Sequence, residues 1–200
     1  MTLIFSDILT HNQLFIKSLL AKVPKYIKSI SIYKDKLTIY CYPEDLIPFL
    51  FFLKKHLIMQ YSSLIDITAV DFLGYKHRFE LIYQLTSVFF NHRITVKTVL
   101  SPLNNVATST IVFKSAGWLE REIWDLFGIF FSDHADLRRI LTDYGFQGFP
   151  LRKDFPLTGF VELCYDDELK RVTYDSLELT QEFRFFDFQS PWQNTEFVSK

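Results

Sequence analysis

Hydrophobic and polar positions along this chain change period several times, and each change predicts an element. Leu9, Ile16, Leu20 and Val23 fall at helical spacing within residues 8–23, with Lys17 and Lys22 off that face, which predicts an amphipathic first helix. Ile30 and Ile32, then Leu37, Ile39 and Cys41, alternate around Lys34-Asp35 as the arms of a hairpin do. Pro43, Glu44 and Asp45 open a predicted helix that runs to about Gln60, because proline fits the first helical position and acids suit the positive end of the helix dipole. From Leu64 the period becomes two: Ile65, Ile67 and Ala69 alternate with Asp66 and Thr68, and after Gly74 the set Phe79, Leu81, Tyr83, Leu85 alternates with Arg78, Glu80, Gln84. Ile94, Val96, Thr98 and Leu100 supply one more strand, closed by Ser101-Pro102. A further helix is expected from about Ser115 to Phe127, with Leu119, Ile123 and Leu126/Phe127 as its apolar stripe and Gly128 as its stop.

Beyond Asp143 the texture changes. Gly145, Gly148, Pro150, Pro156, Gly159 and Pro191 break any long periodicity, which predicts an extended segment with little regular structure. Its aromatics, Phe183, Phe185, Phe186, Phe188 and Trp192, argue for ordering against a neighbour rather than for a solvated tail. The expected architecture is therefore α+β: a mixed or antiparallel sheet with two or three helices over residues 1–135, followed by a long extended arm over residues 136–200.

Composition narrows the function. With 48% hydrophobic residues over 200 positions a sizeable core is within reach, and a net charge of −1 gives no general attraction to nucleic acid or acidic lipid. Cys41 and Cys164 are far apart and form no Cys-x-x-Cys, so the chain by itself lacks the thiolates of an iron–sulfur cluster and the ligand set of a structural zinc. No apolar run reaches the length of a membrane span; the best, Leu46 to Leu53, is short and holds Pro48. The first arginine is Arg78, unlike an arginine-rich transit peptide, so the start is expected to be that of a mature protein. The abundance of Phe, Ile, Lys and Tyr suits the codon bias of an organelle gene.

The most unusual stretch runs from Glu120 to Pro156. Glu120, Glu122, Asp125, Asp136 and Asp154 interleave with Arg121, Arg138, Arg139, Arg152 and Lys153, and aromatics stand between them. A solvated face would carry the charges without the rings, and a core the rings without the charges; together they suggest desolvated ion pairs at a contact surface. Glu120 and Glu122 cannot work as paired catalytic carboxylates, since residues two apart on a helix point about 200° apart. Arg121 and Asp125, four apart, are expected to pair along one face, with Glu120 and Glu122 reaching Arg138 or Arg139. His134 beside Asp136 could be a tuned imidazole, but no second ligand stands at metal spacing and a loop histidine bonded to carboxylate or backbone is the plainer reading. Acids flank Arg138-Arg139 and Arg152-Lys153 and no glycine-rich phosphate loop precedes a helix, which speaks against nucleotide or nucleic acid.

The same block carries a family resemblance. Glu120-Arg121-Glu122, Trp124-Asp125, Phe127-Gly128, His134, Asp136-Leu137-Arg138-Arg139-Ile140, Asp143-Tyr144-Gly145-Phe146, Pro150 and Arg152-Lys153-Asp154-Phe155-Pro156 resemble the signature of the 30 kDa peripheral-arm subunit family of proton-translocating NADH:quinone oxidoreductase, respiratory complex I. The likeness continues through Tyr165-Asp166-Asp167, Lys170-Arg171-Val172 and Gln181-Glu182-Phe183-Arg184 to Phe186-Asp187-Phe188 and Ser190-Pro191-Trp192, with Ala135 departing from a proline after the histidine. The resemblance implies a scaffold and assembly subunit without a cofactor of its own, while partner subunits carry flavin and iron–sulfur clusters. It implies packing against the large quinone-site subunit and other hydrophilic-arm subunits, on the matrix side of the mitochondrial inner membrane. The competing expectation is a free-standing soluble enzyme that uses His134 and the nearby carboxylates.

Overall fold

A computed structural model describes residues 15–34 and 36–188. The predicted start of the first helix, Asp35 of the first turn, and Ser190 to Trp192 lie outside the described residues. The chain forms two compact units that divide between Leu157 and Thr158.

The first unit is built on a five-stranded sheet. Helix α1 covers residues 15–22 among those described and leads through a short turn to strands β1 (Ile27–Tyr33) and β2 (Lys36–Cys41). Helix α2 (Leu46–Lys55) crosses to β3 (Ser63–Asp71), which β4 (Phe79–Ser87) and β5 (His92–Leu100) follow as a meander. The spatial order is β1-β2-β5-β4-β3, antiparallel except where β2 lies parallel beside β5. The connection from β2 to β5 runs through α2, β3 and β4, which makes that parallel pair possible, since a tight turn cannot join strands running the same way. The fold is thus α+β with a mixed sheet.

Alternation places one face of the sheet in the core. Phe79, Leu81, Tyr83 and Leu85 of β4 and Ile94, Val96 and Leu100 of β5 are buried, and Phe49, Leu50 and Leu53 of α2 join the same core. The other face stays partly wet, with Lys97 Nζ bonded to Glu80 Oε1 at 2.7 Å. Two predicted elements change. In β3 the register shifts between Leu64 and Asp66, so Leu64, Ile67 and Ala69 face the core while Ile65 is 53% exposed. A bulge inserts one residue, and one residue is enough to exchange the faces of a strand. Helix α2 is shorter than the expected span to Gln60. Pro43 to Asp45 turn into it, Pro48 occupies its third position where no intrahelical acceptor is lost, and His56 is already extended at ψ 129°. Gln60 at φ 43° and the bond from Tyr61 N to Leu53 O then fold the chain back toward β3.

After β5 the chain makes strand β6 (Val106–Ala107), a turn at Ser109–Ile111, helix α3 (Ala116–Phe127) and strand β7 (Phe131–Ser132). The two short strands pair in parallel, Val106 with Phe131 and Ala107 with Ser132, so α3 is held between two tied ends. Residues 136–157 belong to this same compact unit. In the second unit, β8 (Val161–Asp166) and β9 (Arg171–Ser176) form an antiparallel hairpin within the stretch expected to lack regular structure. The glycines and prolines that suggested an irregular chain lie outside it, all but Pro191 before it, and its turn is closed by Asp166 Oδ1, which accepts from Glu168 N at 2.8 Å and Leu169 N at 3.2 Å.

Leu81 is fully buried at the centre of the sheet. Leu81→Ala is expected to destabilise the first unit by about 3 kcal/mol, seen as a lower urea midpoint at unchanged slope. An unchanged midpoint would show that this strand does not carry the core.

Candidate functional site

Helix α3 carries Ala116, Glu120, Ile123 and Phe127 on its buried stripe, so a carboxylate stands where an apolar residue would be expected. Glu120 is tolerated there because its oxygens are matched. Oε1 accepts from Ser109 N at 2.7 Å and Ser109 Oγ at 2.6 Å, and Oε2 accepts from Thr108 Oγ1 at 2.5 Å. The expected partners Arg138 and Arg139 do not reach it. The loop before the helix supplies the donors, and hydroxyls satisfy a buried carboxylate without burying a second charge.

Asp125 lies off that stripe but is also fully buried, because residues 139–142 cross over it. Oδ2 accepts from the backbone N–H groups of Ile140, Leu141 and Thr142 at 3.1, 2.6 and 2.9 Å. Oδ1 accepts from Thr142 Oγ1 at 2.5 Å and Arg139 Nη1 at 3.2 Å. Burial opposes ionisation, yet the Thr142 hydroxyl and the backbone donors outweigh it and hold the carboxyl down at about 2. The expected Arg121–Asp125 pair is therefore not made. Asp125 turns to a nest of backbone donors that spacing along the helix could not reveal, while Arg121 lies 4.9 Å over the Trp118 ring and donates to Arg138 O at 3.3 Å.

His134 bridges the loop after β7 to the start of α3. Its Nδ1 accepts from Asp136 N at 3.1 Å, which leaves Nε2 to donate to Gly117 O at 3.2 Å. That pattern assigns the neutral Nε2–H tautomer, with Glu120 Oε2 3.9 Å away. Arg138 and Asp136 pair at 2.9 Å with both side chains largely exposed, a contact of little energetic weight. Glu122 is exposed on α3.

The arginines close the other end of the helix. Arg152 Nε donates to Phe127 O at 2.6 Å and its guanidinium stacks 4.4 Å over Phe149, so it meets the last carbonyls of α3 where a cation is favoured. Gly128 sits there at φ 71°, and a Cβ on it would come within 2.6 Å of both Arg152 and Phe149. Only glycine fits both the left-handed turn and that approach. Arg139 Nη2 donates to Gly148 O at 3.0 Å and its guanidinium stacks 4.9 Å over Phe149.

Asp71 and Arg78, at the ends of the β3–β4 turn, were not anticipated. Arg78 binds Asp71 through two bonds of 2.6 and 2.7 Å and Asp154 through two of 2.9 and 3.1 Å. Asp71 Oδ2 also accepts from Lys153 N at 2.8 Å, and the Arg78 bond holds its carboxyl below the usual range. The available signal was an aspartate at the end of one strand and an arginine before the next, which does not say what third group they hold. Lys153 contributes its backbone N–H, and its side chain points to solvent.

Among the described residues no group of three or more His, Cys, Asp or Glu is placed to hold a metal ion, and no helix is long and apolar enough to cross a membrane. Burial and the Asp45 charge push the Cys41 thiol up to about 12, and Asp175 raises that of exposed Cys164, so neither cysteine is an activated thiolate.

Residues 39–161 match the family described as respiratory-chain NADH dehydrogenase, 30 kDa subunit. The chain is 52% identical over 185 residues to NADH-ubiquinone oxidoreductase subunit 9 of Prototheca wickerhamii, covering 92% of this chain and 96% of that one. It is 50% identical over 176 residues to the mitochondrial NADH-ubiquinone oxidoreductase 30.4 kDa subunit of Neurospora crassa, covering 88% of this chain and 62% of that one. A chain in the structure of the membrane-bound sulfane sulfur reductase, an archaeal respiratory membrane complex, shares the fold with a TM-score of 0.64 at 24% identity, over 74% of this chain and 86% of that one.

Asp125 sets a pH limit. Its carboxyl is lowered in the folded state, so its stabilisation is complete above the unfolded carboxyl range near pH 4 and is lost as the pH falls toward about 2. Asp125→Asn is expected to cost on the order of 2 kcal/mol at neutral pH and to flatten the stability profile between about pH 4 and 2. A variant with the wild-type acid profile would remove Asp125 from the account.

Proposed function

The chain belongs to the 30 kDa subunit family of respiratory-chain NADH dehydrogenase, and on that premise we propose that it serves this enzyme as a scaffold and assembly subunit without a redox cofactor of its own. It is a subunit of NADH:quinone oxidoreductase, complex I, and its partners are other subunits of that complex. In this reading flavin and iron–sulfur clusters reside in partner subunits, and the whole assembly moves electrons from NADH to ubiquinone. The chain acts in mitochondria, at the matrix face of the inner membrane, packed against the large quinone-site subunit.

The observation that carries the scaffold reading is the commitment of the polar groups around α3 to the fold itself. Glu120 has three donors, Asp125 five, and both ring nitrogens of His134 are bonded to backbone. A free-standing enzyme built on His134 would need one of those ring nitrogens open to substrate.

The second unit supports a docking role. On its hairpin Leu163 faces Tyr174 and Tyr165 faces Val172, and with Val161 these side chains form one apolar face, each more than half exposed. A two-stranded hairpin is marginal in water, and an uncovered apolar face of this kind suits a partner surface. Residues 158–200 are thus proposed as the arm that wraps the neighbouring subunit.

On a native gel of gently solubilised membranes the chain is expected to comigrate with a very large band active in NADH oxidation; migration alone at low mass would sink the reading. Arg139→Ala is expected to lower the amount of assembled complex more than the turnover of what still forms. Normal assembly with lost turnover would refute the scaffold role. Truncation after Thr158 is expected to leave the first unit folded but absent from the complex, and a truncated chain that still joins it would remove the arm from the account.

A further inference from the structure

One surface beside α3 lies away from the buried carboxylates Glu120 and Asp125. A cavity of about 510 Å³ opens between Lys54 on α2, the start of β3, and residues 111–115. Its floor is Leu64, Val112 and Phe113, and its lining contains lysines and serines but no acid. Lys54 Nζ donates to Val112 O and lies 4.8 Å over the Phe113 ring, which leaves further N–H donors on the ammonium for a ligand. At the rim stand Lys114, which is exposed, and Ile111, 76% exposed.

The strip continues along the helix. Trp118 is one turn beyond Ser115 of the lining and is 68% exposed, and the Arg121 guanidinium covers part of its ring. Three cations, Lys54, Lys114 and Arg121, therefore alternate with two exposed apolar side chains, Ile111 and Trp118. On the helix itself Glu120 is buried and committed to Thr108 and Ser109, and the first exposed acid is Glu122, one residue beyond Arg121. An apolar partner alone would strand the cations, whereas tryptophan and arginine together are the residue types that dominate binding at protein contacts.

We propose that this strip receives an acidic, extended segment of a neighbouring subunit, whose carboxylates meet Lys114 and Arg121 and whose apolar side chains cover Ile111 and Trp118. The proposal rests on the reading of the chain as a complex subunit and names the chemistry of one partner contact.

The test uses the purified complex treated with a water-soluble carbodiimide, which joins lysine amines to carboxylates in contact, followed by peptide mass spectrometry. Lys114 is expected to be linked to an Asp or Glu of a different subunit. Its acetylation by an activated ester is expected to be at least about fivefold slower in the native complex than after dissociation in urea. Equal acetylation rates in the two states overturn the proposal while leaving the subunit reading intact. Protection without a link to any protein carboxylate assigns the strip to another anion, such as a lipid headgroup, and also overturns it. Absence of the chain from the complex removes both readings. Independently, Lys114→Glu is expected to lower assembled complex about fivefold or more while Lys114→Arg retains it, and equal assembly of the two variants would count against the strip.

Discussion

The buried Asp125 carboxylate decides where the chain goes after helix α3. Five donors from residues 139–142 converge on it, so that segment lies across the helix rather than leaving it. A carboxylate fully removed from water is costly unless every lone pair is used, and that cost makes the arrangement specific. Residues 140–142 offer three consecutive N–H groups to Oδ2, while Thr142 Oγ1 and Arg139 Nη1 donate to Oδ1. Once they meet, Arg139 is placed beside Asp125 and over Phe149, which brings residues 148–152 to the end of the helix.

The remaining contacts close in sequence from there. Arg152 reaches the carbonyls of Phe127 and Gly128, and Leu151 N bonds to Leu126 O, so the returning chain finishes the C-terminus of α3. Arg78 then fastens Asp154, and through Asp71 the backbone of Lys153, to the β3–β4 turn. Glu120 and His134 perform the same service at the other end of the helix, tying its first turn to the loops on either side. The charges between Glu120 and Asp154 are thus mostly internal fastenings. What stays exposed is of a different kind: rings, arginine and lysine side chains, and the apolar side chains of the second unit's hairpin.

Neither cysteine is an activated thiolate, and the carboxylates Glu120 and Asp125 are matched by donors of the fold itself. The fold spends its carboxylates on rigidity, which fixes the surfaces that neighbours meet. On the scaffold reading proposed above, such a subunit serves the complex through shape and placement.

Much of the fold was legible in the pattern of residues. Period-two alternation located β4 and β5 and their core residues, and Gly128 marked the end of α3, because these features depend on neighbours in sequence. The site was legible only in composition: the charged and aromatic block was visible, but the pairings expected within one helix, Arg121 with Asp125 above all, gave way to contacts with residues 108–109 and 139–142. The bulge that turns Ile65 outward, the short α2 and the β8–β9 hairpin likewise escaped. The sequence alone was enough for the β4 and β5 strands, the end of α3, the family and the residues that carry charge. Tertiary structure alone decided which donor each carboxylate receives, since helix spacing constrains partners three or four residues apart but not those brought together by a loop crossing the helix.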